Sequence, residues 1–235
     1  MFNFIKIRIA IFGIAIIIFG VIFTSWGFDH IGGLLNHPAR AGLLLILFIQ
    51  FIIFGFFIPL GWTTTRQHIP PVDNNTLIAF IGAMGVLLFL MISPFSDRQA
   101  WVPLPGGDIL RYFGLSLFIL GAFFSTWASI HLCQQLSLQV KNQQSYKLVT
   151  DGPFKYVRHP RDFGTILIFI GIPLIFLSGL GLFIAVLSVA GLFERISREE
   201  QMLQQQFKGE WLVYSKKTRC LIPWISILWH NKAHI

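Results

Sequence analysis

Apolar residues occur in long blocks with almost no polar faces, separated by short polar stretches. The first block runs from Ile9 to about Phe28, behind Lys6 and Arg8. It has the charged start of a secretory leader, but it is too long for a leader's apolar core and no small-x-small cleavage site follows, so a retained helix is expected. Further blocks cover about Ala41 to Trp62, Thr76 to Phe95 and Ile109 to His131. Each approaches or exceeds the ~20 residues an α-helix needs to cross the hydrocarbon core of a bilayer. Trp26, Trp62, Trp101 and Trp127 lie near block ends, as interfacial aromatics do.

The fourth helix is expected to continue out of the membrane through the Gln-rich stretch from Leu132 to Tyr146. Asp151-Gly152-Pro153 is turn chemistry, and Pro160 suits the first turn of a new helix, where its missing N–H is harmless. The last block, Gly164 to Phe193, is interrupted by Gly171, Pro173, Ser178, Gly179 and Gly181. It splits near Leu177–Leu180 into a helical hairpin. Each arm then holds roughly 14 apolar residues, about 21 Å of helix. That is short of a full crossing, so the arms must extend into flanking polar sequence or the hairpin stops part-way. The pattern predicts an all-α integral membrane protein with four transmembrane helices plus a helical hairpin, five to six membrane segments in all. It forms a single membrane domain over 1–235, with N-terminal helices in 1–138, a core in 139–223 and a tail in 224–235.

Composition supports that class. Hydrophobic residues make up 54% and charged residues 12%, against about a quarter charged in a soluble domain. The net charge of +8 would point a soluble protein towards nucleic acid; here the excess of Lys and Arg on inner loops explains it better. With a cytoplasmic N-terminus, four crossings and a hairpin, only Arg40, Arg98 and Arg111 of the 18 Lys and Arg fall outside. A single crossing in place of the hairpin would move the basic residues after Phe193 outside as well. Both C-terminal polar stretches, Leu148–Gly164 and Glu194–Pro223, therefore belong on the cytoplasmic face, with both termini. Cys133 and Cys220 have no disulfide or metal spacing. The seven histidines are scattered, with no i,i+4 pair and no CxxC, so no metal site is expected.

Arg195 and Glu199 are four apart and share a helix face; Glu200 is turned from Glu199 by about 100°. Glu194, Arg198 and Glu210 read as a solvated helix face. The residues alone leave Arg195 and Glu199 open between helix anchors and site residues, because charges just outside a span often only fix its position. Lys155, Arg158 and Arg161 flank a span on its inner side, where basic residues commonly meet lipid headgroups.

The run Leu148-Val149-Thr150-x-Gly152-Pro153-Phe154, then Tyr156-Val157-Arg158-His159-Pro160 and Gly164, resembles the core motif of the isoprenylcysteine carboxyl methyltransferase family. That family sits in a wider group that includes phospholipid N-methyltransferases. Arg195-Ile196, Glu199-Glu200, Leu203, Phe207, Trp211, Tyr214 and Pro223 resemble its C-terminal pattern. The resemblance covers roughly 139–223 and makes that stretch a methyltransferase core. It implies an S-adenosylmethionine site between the membrane and a short cytoplasmic C-terminal helix, open to the cytoplasm for the cofactor and to the bilayer for a lipophilic acceptor. Gln139, Tyr146, Lys147, Leu148, Val149, Phe154, His159, Pro160, Arg161 and Asp162 would line the cofactor site. Glu199 would meet the cofactor's ammonium group. Arg195 would hold an acceptor carboxylate, with Arg158 a second candidate. Three positions depart from the pattern: Asp162 replaces an aromatic residue, Phe154 a frequent Tyr, and Lys208-Gly209 a Gly after Phe207.

The expected activity is methyl transfer to a lipophilic carboxylate such as a C-terminal prenylcysteine. Such an acceptor needs no general base, whereas an amine must lose a proton. A phospholipid or other amine, or a small thiol, is the alternative acceptor. An NADPH-dependent membrane reductase, which shares a similar Arg-His-Pro segment, and a non-enzymatic scaffold are the readings from other classes. Lipids are the expected partners, with no nucleic acid and no obligate protein partner.

Overall fold

The computed structural model describes residues 2–57, 76–141 and 147–221. Among them the chain is helical: α1 (Phe2–Trp26), the short α2 (Ile31–Leu35), α3 (Pro38–Phe57), α4 (Thr76–Gln99), α5 (Gly107–Lys141), α6 (Pro160–Ile175) and α7 (Gly179–Lys217), with single 3-10 turns at Phe28–His30 and Gly152–Lys155. Four of them, α1, α3, α5 and α7, are long and apolar enough to cross a membrane. The expectations for Trp62, Tyr146, Pro223 and the tail fall outside the described residues.

Each apolar block becomes a helix, with its ends displaced by a few residues. α5 does continue past His131, reaching Lys141. Pro160 does open α6, in the first turn. The hairpin turn falls at Phe176–Ser178, where Leu177 takes a left-handed φ of 46° and the Ser178 hydroxyl accepts the Gly181 N–H at 2.9 Å to cap α7. The tip is tied into its surroundings. Arg111 Nη1 donates to the Ile175 carbonyl at 2.6 Å, and the backbone of Val102 and Leu104 bonds to Gly179 and Leu177. The arms gain length by extending into polar sequence. α6 starts at Pro160, four residues before the apolar block, and α7 runs on through Lys217. The stretch expected as a short C-terminal helix is the last part of α7, set off from the rest by a kink at the non-helical residue Lys208 (φ 40°, ψ −109°).

α5 and α6 pack antiparallel at close range. Gly114 and Gly121 on α5 oppose Gly171 and Gly164 on α6. A Cβ added at Gly114 would stand 2.8 Å from the Gly171 carbonyl oxygen, and one at Gly121 2.5 Å from that of Gly164. Small residues let helix backbones approach this closely, which is how packing is gained in a lipid environment. The buried core around this contact joins Ile22, Leu43, Phe89, Phe118, Phe169, Ile175 and Phe176, with the rings of Phe89 and Phe169 4.9 Å apart.

Polar groups collect at the two ends of this bundle. On α5 the stretch from Tyr112 to Ile130 carries no charge. Arg111 and His131, which bound it, are separated by about 30 Å of helix, the thickness of the hydrocarbon core. At the Arg111 end, Arg111 grips Asp97 through two contacts of 2.7 and 2.9 Å, and Arg40 Nε lies 3.3 Å from the same carboxylate. Arg98 grips Asp29 at 2.7 and 3.1 Å, and His37 lies 3.1 Å from Asp108. The guanidinium of Arg40 also stacks 4.7 Å above the Trp26 ring.

Candidate active site

The His131 end holds the two polar stretches. His131 Nε2 lies 3.0 Å from Asp151 Oδ1, and Gln135 donates to Asp151 Oδ2 at 3.1 Å. This anchors the turn that follows. Gly152 has φ +57°, and a side chain there would stand 2.6 Å from the His131 ring. Further along α5, the buried Gln139 amide accepts the Lys147 N–H and donates to the Lys147 carbonyl, both at 3.2 Å. One side chain thus satisfies both backbone groups of a residue outside any helix or strand, as buried backbone requires, and holds Lys147-Leu148-Val149 against the bundle.

The segment Val157–His159 runs beside Arg219–Cys220 as a short parallel pairing. Arg158 N–H donates to the Arg219 carbonyl at 2.8 Å and His159 N–H to the Cys220 carbonyl at 3.1 Å. The Arg158 side chain is used entirely inside the protein. Its Nε and Nη2 meet Glu200 Oε1 at 2.8 and 2.7 Å. Its Nη1 donates to the Ser215 and Thr218 carbonyls at 2.9 and 2.8 Å, and its guanidinium lies 5.6 Å from the Trp211 ring centre. The Tyr214 hydroxyl donates to the Phe154 carbonyl at 2.7 Å, and burial pushes its pKa up so that it stays a donor. These contacts fasten the end of α7 over the Gly152–His159 segment.

His159 is 4% exposed. Its Nε2 lies 3.3 Å from Glu200 Oε1, and its Nδ1 lies 3.9 Å from Asp162 Oδ2. Burial works to raise the Glu200 carboxyl, but the His159 contact and the Arg158 guanidinium outweigh it and hold the pKa below the ordinary value. Burial pushes the Cys220 thiol up to about 12, so it is no nucleophile at neutral pH. On the other side of His159, Asp162 is 3% exposed, and its nearest cation besides His159 is Arg195, with Nη1 4.0 Å away and a side chain 50% exposed. Atoms of His159, Asp162 and Glu199 able to ligate a metal lie within 4.8 Å of one another, as do those of His159, Glu200 and Cys220.

The structure therefore brings together Arg158, His159, Pro160, Asp162, Arg195 and Glu199, with Gln139, Lys147, Leu148, Val149 and Phe154 on the connected segment. Arg161 is half-buried in the first turn of α6, and Tyr146 falls outside the described residues. Glu194 and Arg198 form an exposed pair 3.1 Å apart, as a solvated face should. Glu200 is the residue the sequence reading passed over. It stood beside Glu199, and only the packing of α7 against His159 shows that its face of the helix is the one that locks Arg158. Trp211 and Tyr214 were visible in the pattern but without a role. Thr218 and Cys220 act here through backbone carbonyls and gave no signal. Between α3 and α5 lies an apolar cavity of about 410 Å³, whose lining includes Ile49, Ile53, Phe123 and Trp127 and reaches Ile130, next to His131.

The donor set fits a positively charged ligand. Three carboxylates meet at His159; Glu200 is committed to Arg158, and among the described residues Asp162 has beside it only His159 and the half-exposed Arg195. That suits the ammonium and sulfonium of S-adenosylmethionine, the methyl donor a methyltransferase of this kind implies. Comparison with known proteins agrees. Residues 109–210 match the phospholipid methyltransferase family, a match that begins well before residue 139 and takes in most of α5. Over 156 residues, 65% of this chain and 75% of the relative, the chain is 26% identical to Protein-S-isoprenylcysteine O-methyltransferase B of Arabidopsis thaliana. Over residues 109–210 the chain is thus similar to the phospholipid methyltransferase family, and more widely to an isoprenylcysteine O-methyltransferase, and these likenesses support a membrane methyltransferase.

Proposed function

We propose that the chain methylates a carboxylate on a lipophilic acceptor, a C-terminal prenylcysteine or a molecule like it, at the His131 end of the bundle and on the cytoplasmic side of the membrane. The observation that carries this reading is the division of charge at the site: the buried Asp162 and the half-buried Glu199 beside one half-exposed arginine, 4.0 Å from Asp162. When bound, S-adenosylmethionine supplies an electrophilic methyl group on a sulfonium. Glu199 and Asp162 hold its positive charges, and His159 and Pro160 form the floor. The segment Tyr146 to Val149, clamped by Gln139, together with Phe154 and Arg161, forms the remaining wall.

Arg195 holds the acceptor's carboxylate in line with the methyl group. Such positioning is worth several kcal/mol of the barrier, about 7–11 at best, and an anionic acceptor needs no base. The cavity between α3 and α5 offers the acceptor's apolar part a way in from the bilayer. Lipid is the partner this arrangement requires.

An amine acceptor is the second reading, favoured by the name of the family matched over 109–210. It needs a base, and each ring nitrogen of His159 already faces a carboxylate, which among these residues leaves Asp162 or Glu199 to take the proton. The cytoplasmic placement is supported by charge. With the site inside, only Arg40, Arg98 and Arg111 of the 18 Lys and Arg lie outside, and each of the three is paired with an aspartate.

Two measurements test the reading. Calorimetry on folded, detergent-purified protein should show binding of S-adenosylmethionine or its demethylated product, lost in Glu199→Ala and His159→Ala. Transfer of a radiolabelled methyl group should favour a prenylcysteine carboxylate over a phospholipid amine, and Arg195→Ala should raise the acceptor KM while leaving the cofactor Kd in place. Absence of cofactor binding in a folded wild-type sample would sink the proposal, and preference for the amine would hand it to the second reading.

A further inference from the structure

We infer that a divalent metal ion of the zinc class binds between His159 Nδ1, Asp162 and Glu199, and that the metal and the S-adenosyl cofactor exclude one another. The metal site stands on the geometry alone; the exclusion rests on the cofactor placement proposed above.

The first observation is Asp162. Its side chain is 5% exposed, and no described residue donates a hydrogen bond to it. The nearest positive groups, His159 Nδ1 at 3.9 Å and Arg195 Nη1 at 4.0 Å, are beyond hydrogen-bond distance. A buried carboxylate whose only cations among the described residues stand at 3.9 and 4.0 Å is weakly compensated, and a further cation between these groups would complete it.

The second observation is the orientation of His159. Glu200 already accepts from Arg158 and, as a carboxylate, can only accept at His159 Nε2, 3.3 Å away. In the neutral imidazole the proton therefore sits on Nε2, and the Nδ1 lone pair faces the carboxylates of Asp162 and Glu199. A histidine whose far nitrogen donates to a carboxylate while the near one points at oxygen ligands is the arrangement that orients metal-bound histidines.

The third is spacing. A tetrahedral ion with bonds of about 2.1 Å holds its ligands about 3.4 Å apart. The 3.9 Å between Nδ1 and Asp162 Oδ2 needs a closure of about half an ångström, and Glu199 reaches in from the neighbouring helix within 4.8 Å of both. The rival trio on the other side of the ring, His159, Glu200 and Cys220, already contains the Arg158 guanidinium 2.7 Å from Glu200, whose charge repels a metal.

The test uses chelator-washed full-length protein in detergent, titrated with Zn2+ by calorimetry and with Co2+ by absorption. One Zn2+ should bind per chain. Asp162→Asn should weaken it at least tenfold, Glu199→Gln should do the same from the more exposed edge if the first variant fails to fold, and Cys220→Ser should leave it unchanged. The Co2+ spectrum should lack a thiolate charge-transfer band. Saturating demethylated cofactor should raise the apparent Zn2+ Kd at least tenfold. No Zn2+ binding, binding indifferent to both carboxylate variants, or a thiolate band would each overturn the metal site, and simultaneous binding of both ligands would overturn the exclusion. Cofactor binding measured in chelator tests the methyltransferase pocket separately, so the two proposals fail independently.

Discussion

The bundle carries a charged cluster at each end, and the two are built differently. At the Arg111 end, three arginines face three aspartates. Asp97 lies between Arg111 and Arg40, Arg98 grips Asp29, and Asp108 has His37 beside it. At the His131 end, Asp162, Glu199 and Glu200 have among the described residues one largely enclosed arginine, Arg158, held by Glu200 and two backbone carbonyls, and one that is half in solvent. The first cluster closes its own charge and ties together α1, α3, α4, α5 and the hairpin tip. Among the described residues the second leaves negative charge over, at the buried Asp162 and the half-buried Glu199. Neutrality within the protein marks a structural clamp; a buried surplus marks a place for a ligand of opposite sign.

Breaking the clamp should give the largest effect. In Asp97→Asn, Arg111 and Arg40 are left facing each other where the Asp97 side chain is 7% exposed. Removing one partner of a buried ion pair costs about 3–5 kcal/mol. Thermal unfolding in detergent should show that loss, while the surviving folded fraction binds cofactor with wild-type affinity. A cofactor Kd that moved in step with the stability would mean that the two ends are coupled and the contrast between them false.

A smaller loss, about 1–3 kcal/mol from overpacking, is expected for Gly121→Val. The added Cβ meets the Gly164 carbonyl at 2.5 Å, in the first turns of the helix that carries His159 and Asp162 at its start. This variant, unlike the clamp variant, should weaken cofactor binding beyond its effect on stability. Equal behaviour of the two would show that the glycine contact only holds the bundle together.

The Arg158–Glu200 lock sharpens the comparison through pH. Glu200 has a folded pKa below its ordinary value of 4.5, held down by His159 and Arg158 against the effect of burial. Its contribution to stability is therefore fully present above about pH 4.5 and is lost as pH falls through the folded value. Wild type should lose stability in that acid window more steeply than Glu200→Gln, and the two curves should run parallel above it. Parallel curves throughout would mean that Glu200 is not held ionised by Arg158 and His159.

Much of this was legible beforehand, for local reasons. Apolar block length gave the helices, Pro160 gave the start of α6 because proline is harmless there, and the Ser-Gly run gave the hairpin turn. What stayed hidden required partners from distant sequence. His159 and Glu200 are 41 residues apart, and Arg98 and Asp29 are 69 apart, so composition shows the charges and not their pairing. The glycines at 114, 121, 164 and 171 stand at the same spacing on two helices, but only the antiparallel contact shows that they meet. Glu200 and Glu199 differ by one step on the helix, and that step decides which one locks Arg158 and which one meets Asp162.

Lys208 supplies the finest test. It lies within α7 but holds φ 40° and ψ −109°, a conformation costly to a residue with a Cβ and easy for glycine. The resembled pattern has a glycine after Phe207, and this chain has its glycine one place later, at Gly209, so the break falls on the lysine. In Lys208→Gly two effects oppose: the folded state loses its strain of order 1–3 kcal/mol, and the unfolded chain gains freedom that costs about 0.4–1 kcal/mol. The strain is the larger, so the variant should unfold slightly later than wild type. Because the segment past the break carries Trp211 and Tyr214 onto Arg158 and Phe154, relief of the strain should also leave cofactor affinity equal or tighter. A lower unfolding temperature would show that the lysine side chain contributes more than its backbone costs, and that the end of α7 is held by contacts of that side chain rather than by the lock at Arg158.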